Sequence, residues 1–141
     1  MNTHLHVLEA YTSLYRIWQD ALLAKRIKEL IHLLNYILFI PGHITWCFFD
    51  EYWNRKSDII SYGHDIEASW LLMEAAHVLG DNALLSATKQ LSIQIATAAL
   101  TGMDKTGGLV YEYHPGRQSP TETNIGGYRQ KALLASSMPG N

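Results

Sequence analysis

Leu8-Glu9-Ala10 followed by Asp20-Ala21-Leu22-Leu23, and Met73-Glu74-Ala75 followed by Asp81-Asn82-Ala83-Leu84-Leu85, are the stretches on which the fold turns. In each, a small apolar triplet lies within one helix-periodic segment and an aspartate opens the next. Leu5, Leu8, Tyr11, Tyr15 and Trp18 set a first helix, and Leu22, Leu23, Ile27, Leu30, Ile31, Leu34 and Leu38 a second, opened by Asp20 and ended by Pro41-Gly42. A third starts near Gly63 or His64 and stops at Leu79, with Gly80 beyond it; Asn82 caps a fourth, which runs through Leu100. A repeat of roughly sixty residues, each unit a helical hairpin, predicts an all-α solenoid or closed ring of helix pairs, of which these helices are an arc. An arc without its neighbours leaves apolar surface exposed.

The remainder is connecting structure. Ile44 to Phe49 reads as a short extended segment, Asp50 to Ser61 as a long polar loop, and Asp104 to Gly108 as a turn before the strand-like Leu109 to Tyr113. A fifth helix is expected from Tyr128 to Ser136.

Composition narrows the functional classes. The 141 residues are 48% hydrophobic and 17% charged, enough for one domain with a core. A net charge of -2 and a pI near 6.4 give no electrostatic footprint for nucleic acid or an anionic membrane. The longest apolar run, Leu30 to Ile40, is broken by His32 and Asn35 and falls short of the ~20 residues of a membrane span. One cysteine, Cys47, with no metal-ligand spacing around it, and an N-terminus without a secretory pattern lead to the expectation of a cytoplasmic chain. A small neutral ligand suits this balance.

His64 stands out among the seven histidines, at a helix start in Ser61-Tyr62-Gly63-His64-Asp65-Ile66-Glu67. Glu67, three residues on, shares its helix face and can accept a ring proton, fixing the tautomer of a general base. A surface helix pair and a metal site are the alternatives, although the pattern lacks the paired histidines of a zinc helix. His4 and His6 diverge by about 200° at a helix start, so only one of them faces a pocket. Trp46, Phe48, Phe49, Tyr52, Trp53 and Tyr62 precede His64; aromatic faces stack on sugar C–H surfaces, which makes Trp53 and Tyr62 candidate substrate contacts, with core packing as the alternative.

Residues 1–11 (MNTHLHVLEAY), Phe48 to Asn54 (FFDEYWN), Ser61 to Leu72 (SYGHDIEASWLL) and Gly107 to Glu112 (GGLVYE) together resemble the cellobiose 2-epimerase branch of the N-acylglucosamine 2-epimerase family. The resemblance is strong over 1–113, and residues 114–141 diverge. It implies an (α/α)6 barrel, a toroid of six hairpins, and epimerisation at C2 of the reducing-end glucose of a β-1,4-linked disaccharide. The implied route is ring opening, removal of the C2 proton by a histidine to give an enediolate, and reprotonation of the other face by a second histidine, with no metal and no other cofactor. It makes His64 an acid/base residue, Glu67 its helix partner, His6 an active-site histidine and Asn2 a substrate contact, while His4 is expected to point away. It also implies a monomer, with self-association of several copies as the alternative.

The same comparison marks departures. About five helices cannot make a twelve-helix barrel, and the family's second catalytic histidine has no counterpart here. The chain is therefore expected to be a central fragment, with a truncated reading frame at Met1 and a shifted one in the tail, and to be inactive alone. A non-catalytic helical module binding carbohydrate or protein is the alternative reading.

Overall fold

The computed structural model describes residues 2–35 and 48–114. Four helices follow in order: α1 (Asn2–Ile17), α2 (Ala21–Leu33), α3 (Tyr62–Leu79) and α4 (Asn82–Ala99), the last continued by a 3-10 turn at Leu100–Gly102. They form two hairpins, as the repeat requires. Asp20 caps α2 by accepting from the backbone N–H of Leu22 and Leu23. Asp81, rather than Asn82, caps α4 through the N–H of Leu84; the two caps are equivalent members of the repeat, and Asn82 is the first helical residue. Gly80 ends α3 in left-handed backbone (φ 69), which glycine adopts without strain.

α1 begins three residues earlier than its apolar spacing indicated, because Asn2, Thr3 and His4 form an additional polar first turn. The continuation of the second helix to Leu38, most of the Ile44 to Phe49 segment with Trp46 and Cys47, and the fifth helix lie outside the described residues.

α3 packs against all three other helices and is buried on nearly every side, as expected of an inner helix. Its Ala68, Leu71, Leu72, Ala75 and Ala76 meet Leu5 and Leu8 of α1, Leu23, Ile27 and Ile31 of α2, and Ile95 of α4 in one core. α1, α2 and α4 each bury a single stripe. Ion pairs Arg16–Glu74 and Lys28–Asp81 tie the hairpins together at the surface, adding little to what the core contributes. The exposed apolar surface expected of an arc is present: Ile17, Trp18 and Leu22 crowd the α1–α2 turn, and Ile93, Leu100 and Met103 lie along the α4 side.

The loops before and after the second hairpin hold isolated β-bridges, Phe49 with Arg55, Met103 with Leu109, and Ile60 with Tyr113. The expected strand at Leu109 to Tyr113 thus exists only as bridge partners. Ile60 and Tyr113 exchange both backbone hydrogen bonds, at 2.9 and 2.8 Å, which fastens the segment entering α3 to the one that follows the second loop.

Candidate active site

The first turns of α1 and α3 and the loop at Phe48 to Trp53 enclose a cavity of about 570 Å³, within the range of small-molecule sites. Asn2, Thr3 and His4 line it from α1, Phe48, Phe49, Asp50, Glu51 and Trp53 from the loop, and His64 from α3. Of the residues singled out from sequence, Asn2, Trp53 and His64 therefore share one cavity.

The others are placed differently. Tyr62 packs into a small cluster with Ile66, Ala96, Ala99 and Leu109, its ring so close to Gly102 that a Cβ there would collide with it. Glu67 is buried one turn below His64. His6 is exposed and its Nδ1 lies 3.3 Å from Glu9. His4, expected to point away, lines the cavity instead: the two histidines divide as helical spacing demands, but the first turn of α1 leans its earlier histidine on Trp53, ring centroids 5.9 Å apart. The Nδ1 of His4 is buried with no hydrogen-bond partner, and burial lowers its pKa.

His64 is held by groups the sequence did not announce. Ser61 is the N-cap of α3 but makes no capping bond; its Oγ lies 2.7 Å from His64 Nδ1 and 3.5 Å from the carbonyl oxygen of Tyr111. The Tyr111 ring lies 5.8 Å from the imidazole, tilted by 50°. Burial depresses the His64 pKa, opposed by the negative charges of Glu67 and Glu112 and reinforced by His6. Burial thus favours the neutral imidazole, the form that accepts a proton. The available clue to Ser61 was its position three residues before His64, where an N-cap side chain meets the N3 residue.

The loop wall is organised by Asp50. Its carboxylate accepts from the N–H of Tyr52 and of Asn54, both at 2.9 Å, from the Asn54 amide at 3.1 Å, and from Lys56 at 3.0 Å. Lys56 and the Asn54 N–H hold the Asp50 carboxyl far below the ordinary carboxylate range. Trp53, closing the turn at φ 65, lies against Phe49 with centroids 6.1 Å apart. Among the described residues, no group of three His, Cys, Asp or Glu side chains is placed to hold a metal ion, and no helix is long and apolar enough to cross a membrane.

An all-α arc of hairpins, with His64 at the start of its most enclosed helix beside an aromatic wall, fits a barrel of helix pairs. The family model for N-acylglucosamine 2-epimerase matches residues 1–125, and the chain belongs to that family. Curated relatives include the cellobiose 2-epimerase of Bacteroides fragilis, 50% identical over 113 residues, covering 79% of this chain and 29% of the relative. That of Dictyoglomus turgidum is 39% identical over 114 residues, with the same two coverages. Among solved structures, cellobiose 2-epimerase from Bacillus thermoamylovorans B4167 superposes with a TM-score of 0.87 at 41% identity, covering 96% of this chain and 34% of that one. The enzyme from Spirochaeta thermophila gives 0.83 at 27% identity, with the same coverages. The architecture is an arc of an (α/α)6 barrel, and the chain spans less than a third of the length of these curated relatives.

Proposed function

We propose that these residues form part of the active site of an epimerase acting at C2 of the reducing-end glucose of cellobiose or a related disaccharide. The observation that carries this reading is the half-buried His64 facing a cavity walled by Trp53 and bonded through Nδ1 to Ser61, with burial lowering its pKa. In the tautomer that donates Nδ1–H to Ser61, whose own hydroxyl points to the Tyr111 carbonyl, Nε2 keeps its lone pair and takes the C2 proton of the ring-opened sugar. Glu67 and Glu112 stabilise the imidazolium that results. The electron pair left at C2 delocalises onto the C1 oxygen as an enediolate, and return of a proton to the opposite face inverts C2. The donor of that second proton is not among the cavity residues described above.

Asn2 binds a sugar hydroxyl and Trp53 stacks on a pyranose face, while Tyr62, packed against Gly102, supports the start of α3. His6, on the exposed side of α1 and within electrostatic range of His64, assists proton transfer on the open side of the arc. The substrate is a small carbohydrate and the reaction uses no cofactor.

The test is a chimera in which residues 1–113 replace the matching segment of the Bacteroides fragilis enzyme. Conversion of cellobiose to glucosyl-mannose, abolished by His64→Ala, is the expected result. A folded chimera without activity, or one indifferent to His64→Ala, would refute the assignment.

A further inference from the structure

The loop walling the cavity and the loop after α4 are the same turn, built twice. In the first, Asp50 Oδ1 accepts from the N–H groups two and four residues on, and in the second Asp104 Oδ1 does the same with Thr106 and Gly108, both at 2.8 Å. The aspartate N–H donates to the carbonyl four residues on, Asn54 at 3.0 Å and Gly108 at 2.7 Å. Its carbonyl accepts from the residue three on, Trp53 and Gly107, each at 3.1 Å. Both turns are closed by a bridge between the flanking residues, Phe49 with Arg55 and Met103 with Leu109.

The turn needs left-handed backbone at its fourth residue. Gly107 supplies it at φ 82, and a Cβ there would meet open space. Trp53 supplies it at φ 65 and is the one described residue other than glycine with positive φ. A bulky side chain in that region is strained and persists only where its surroundings over-determine it. At Trp53 the surroundings are the backbone bonds together with the Asn54 amide and Lys56, both on the Asp50 carboxylate. The strained residue is also the one whose ring lies against His4 and Phe49 at the cavity.

We propose that Asp50 is a positioning residue: its carboxylate locks a turn that forces Trp53 into left-handed backbone and thereby holds the indole as the cavity wall on which a pyranose ring stacks. The ligand rests on the sugar reading above; the positioning rests on the turn alone.

The 141-residue chain, labelled with fluorotryptophan, tests the two parts separately. The Trp53 fluorine resonance is assigned by its loss in Trp53→Phe. Asp50→Ala should shift or broaden it and leave the other three tryptophan signals in place, and Asp50→Asn, which retains the Oδ1 acceptor, should restore most of its position. The neighbouring Asp58→Ala is the control that should leave it unmoved. A Trp53 signal unchanged by Asp50→Ala would overturn the positioning role. Trp53→Gly should leave the unfolding midpoint level or raise it; a clear fall would show the indole to be a packing element and overturn the claim of strain.

In calorimetric titration with cellobiose, Asp50→Ala and Trp53→Gly should each weaken binding about tenfold, and the double variant no more than Trp53→Gly. Additive losses would overturn the claim that Asp50 acts through Trp53. Absence of cellobiose binding by the unsubstituted chain, with the fluorine and midpoint results as expected, would overturn the sugar ligand and uphold the positioning.

Discussion

The turn at Asp50 to Asn54 and the turn at Asp104 to Gly108 share a hydrogen-bond scheme and differ in what they do with it. The second uses glycine where the backbone turns left-handed and seats its base on protein: Gly102, at the foot of the loop, lets the Tyr62 ring approach. The first places Phe48 at the corresponding foot and Trp53 at the left-handed position, and both line the cavity. One copy of the repeat is relaxed and packed, the other strained and open, which is how a site differs from the scaffold it is built on.

The largest expected effect falls on the packed copy. Gly102→Ala drives a methyl group into the Tyr62 ring and should destabilise the chain by roughly 1–3 kcal/mol in denaturant unfolding. An alanine tolerated without loss would mean the second loop is not seated on Tyr62, and the contrast would weaken. Gly107→Ala comes next. With open space around the Cβ, its effect is backbone strain alone, roughly 1 kcal/mol, and so calibrates the strain assigned to Trp53. If Gly107→Ala is neutral, the turn tolerates side chains and Trp53 is not strained.

The smallest effect is one of pH and belongs to the cavity side. His4 and His64 both have folded pKa values below 6.5, chiefly through burial. The unfolded chain then binds more protons than the folded one near and below that value, so stability rises with pH between about 5 and 7 and falls on acidification. Unfolding midpoints measured across that range should flatten in the His4→Gln, His64→Gln double variant. An unchanged slope would show that neither histidine is desolvated by the cavity.

The hairpin architecture was legible because its signals are local: Asp20 as a cap, Gly80 as a stop, and apolar spacing on α1 and α2 that matches the buried Leu5, Leu8, Leu23, Ile27 and Ile31. The Asp81 cap was read one residue late because Asn82 has equal capping chemistry. The site was harder. His64 and Glu67 could be placed on one helix, but the bond to Ser61 depends on a cap residue declining to cap, and the choice of His4 over His6 for the cavity depends on how α1 is rotated against α3. The kinship of the two turns was hidden for a simple reason: Gly107 advertises left-handed backbone in sequence, whereas Trp53 in the same role reads as one more aromatic residue.

The burial of α3 on nearly every side also bears on motion. A helix enclosed by α1, α2 and α4 cannot open without dismantling the core, so its interior amides should exchange with solvent only through global unfolding. The Asp50 turn is held mostly by bonds within itself, with Trp53 against His4 and Phe49 against the core, so its amides should exchange before those of the α3 interior. His64 and Trp53 face the same space, yet one is carried by the first turn of the most enclosed helix and the other by a surface turn. The two walls of one cavity thus answer to different parts of the fold, one to the core as a whole and one to a single carboxylate.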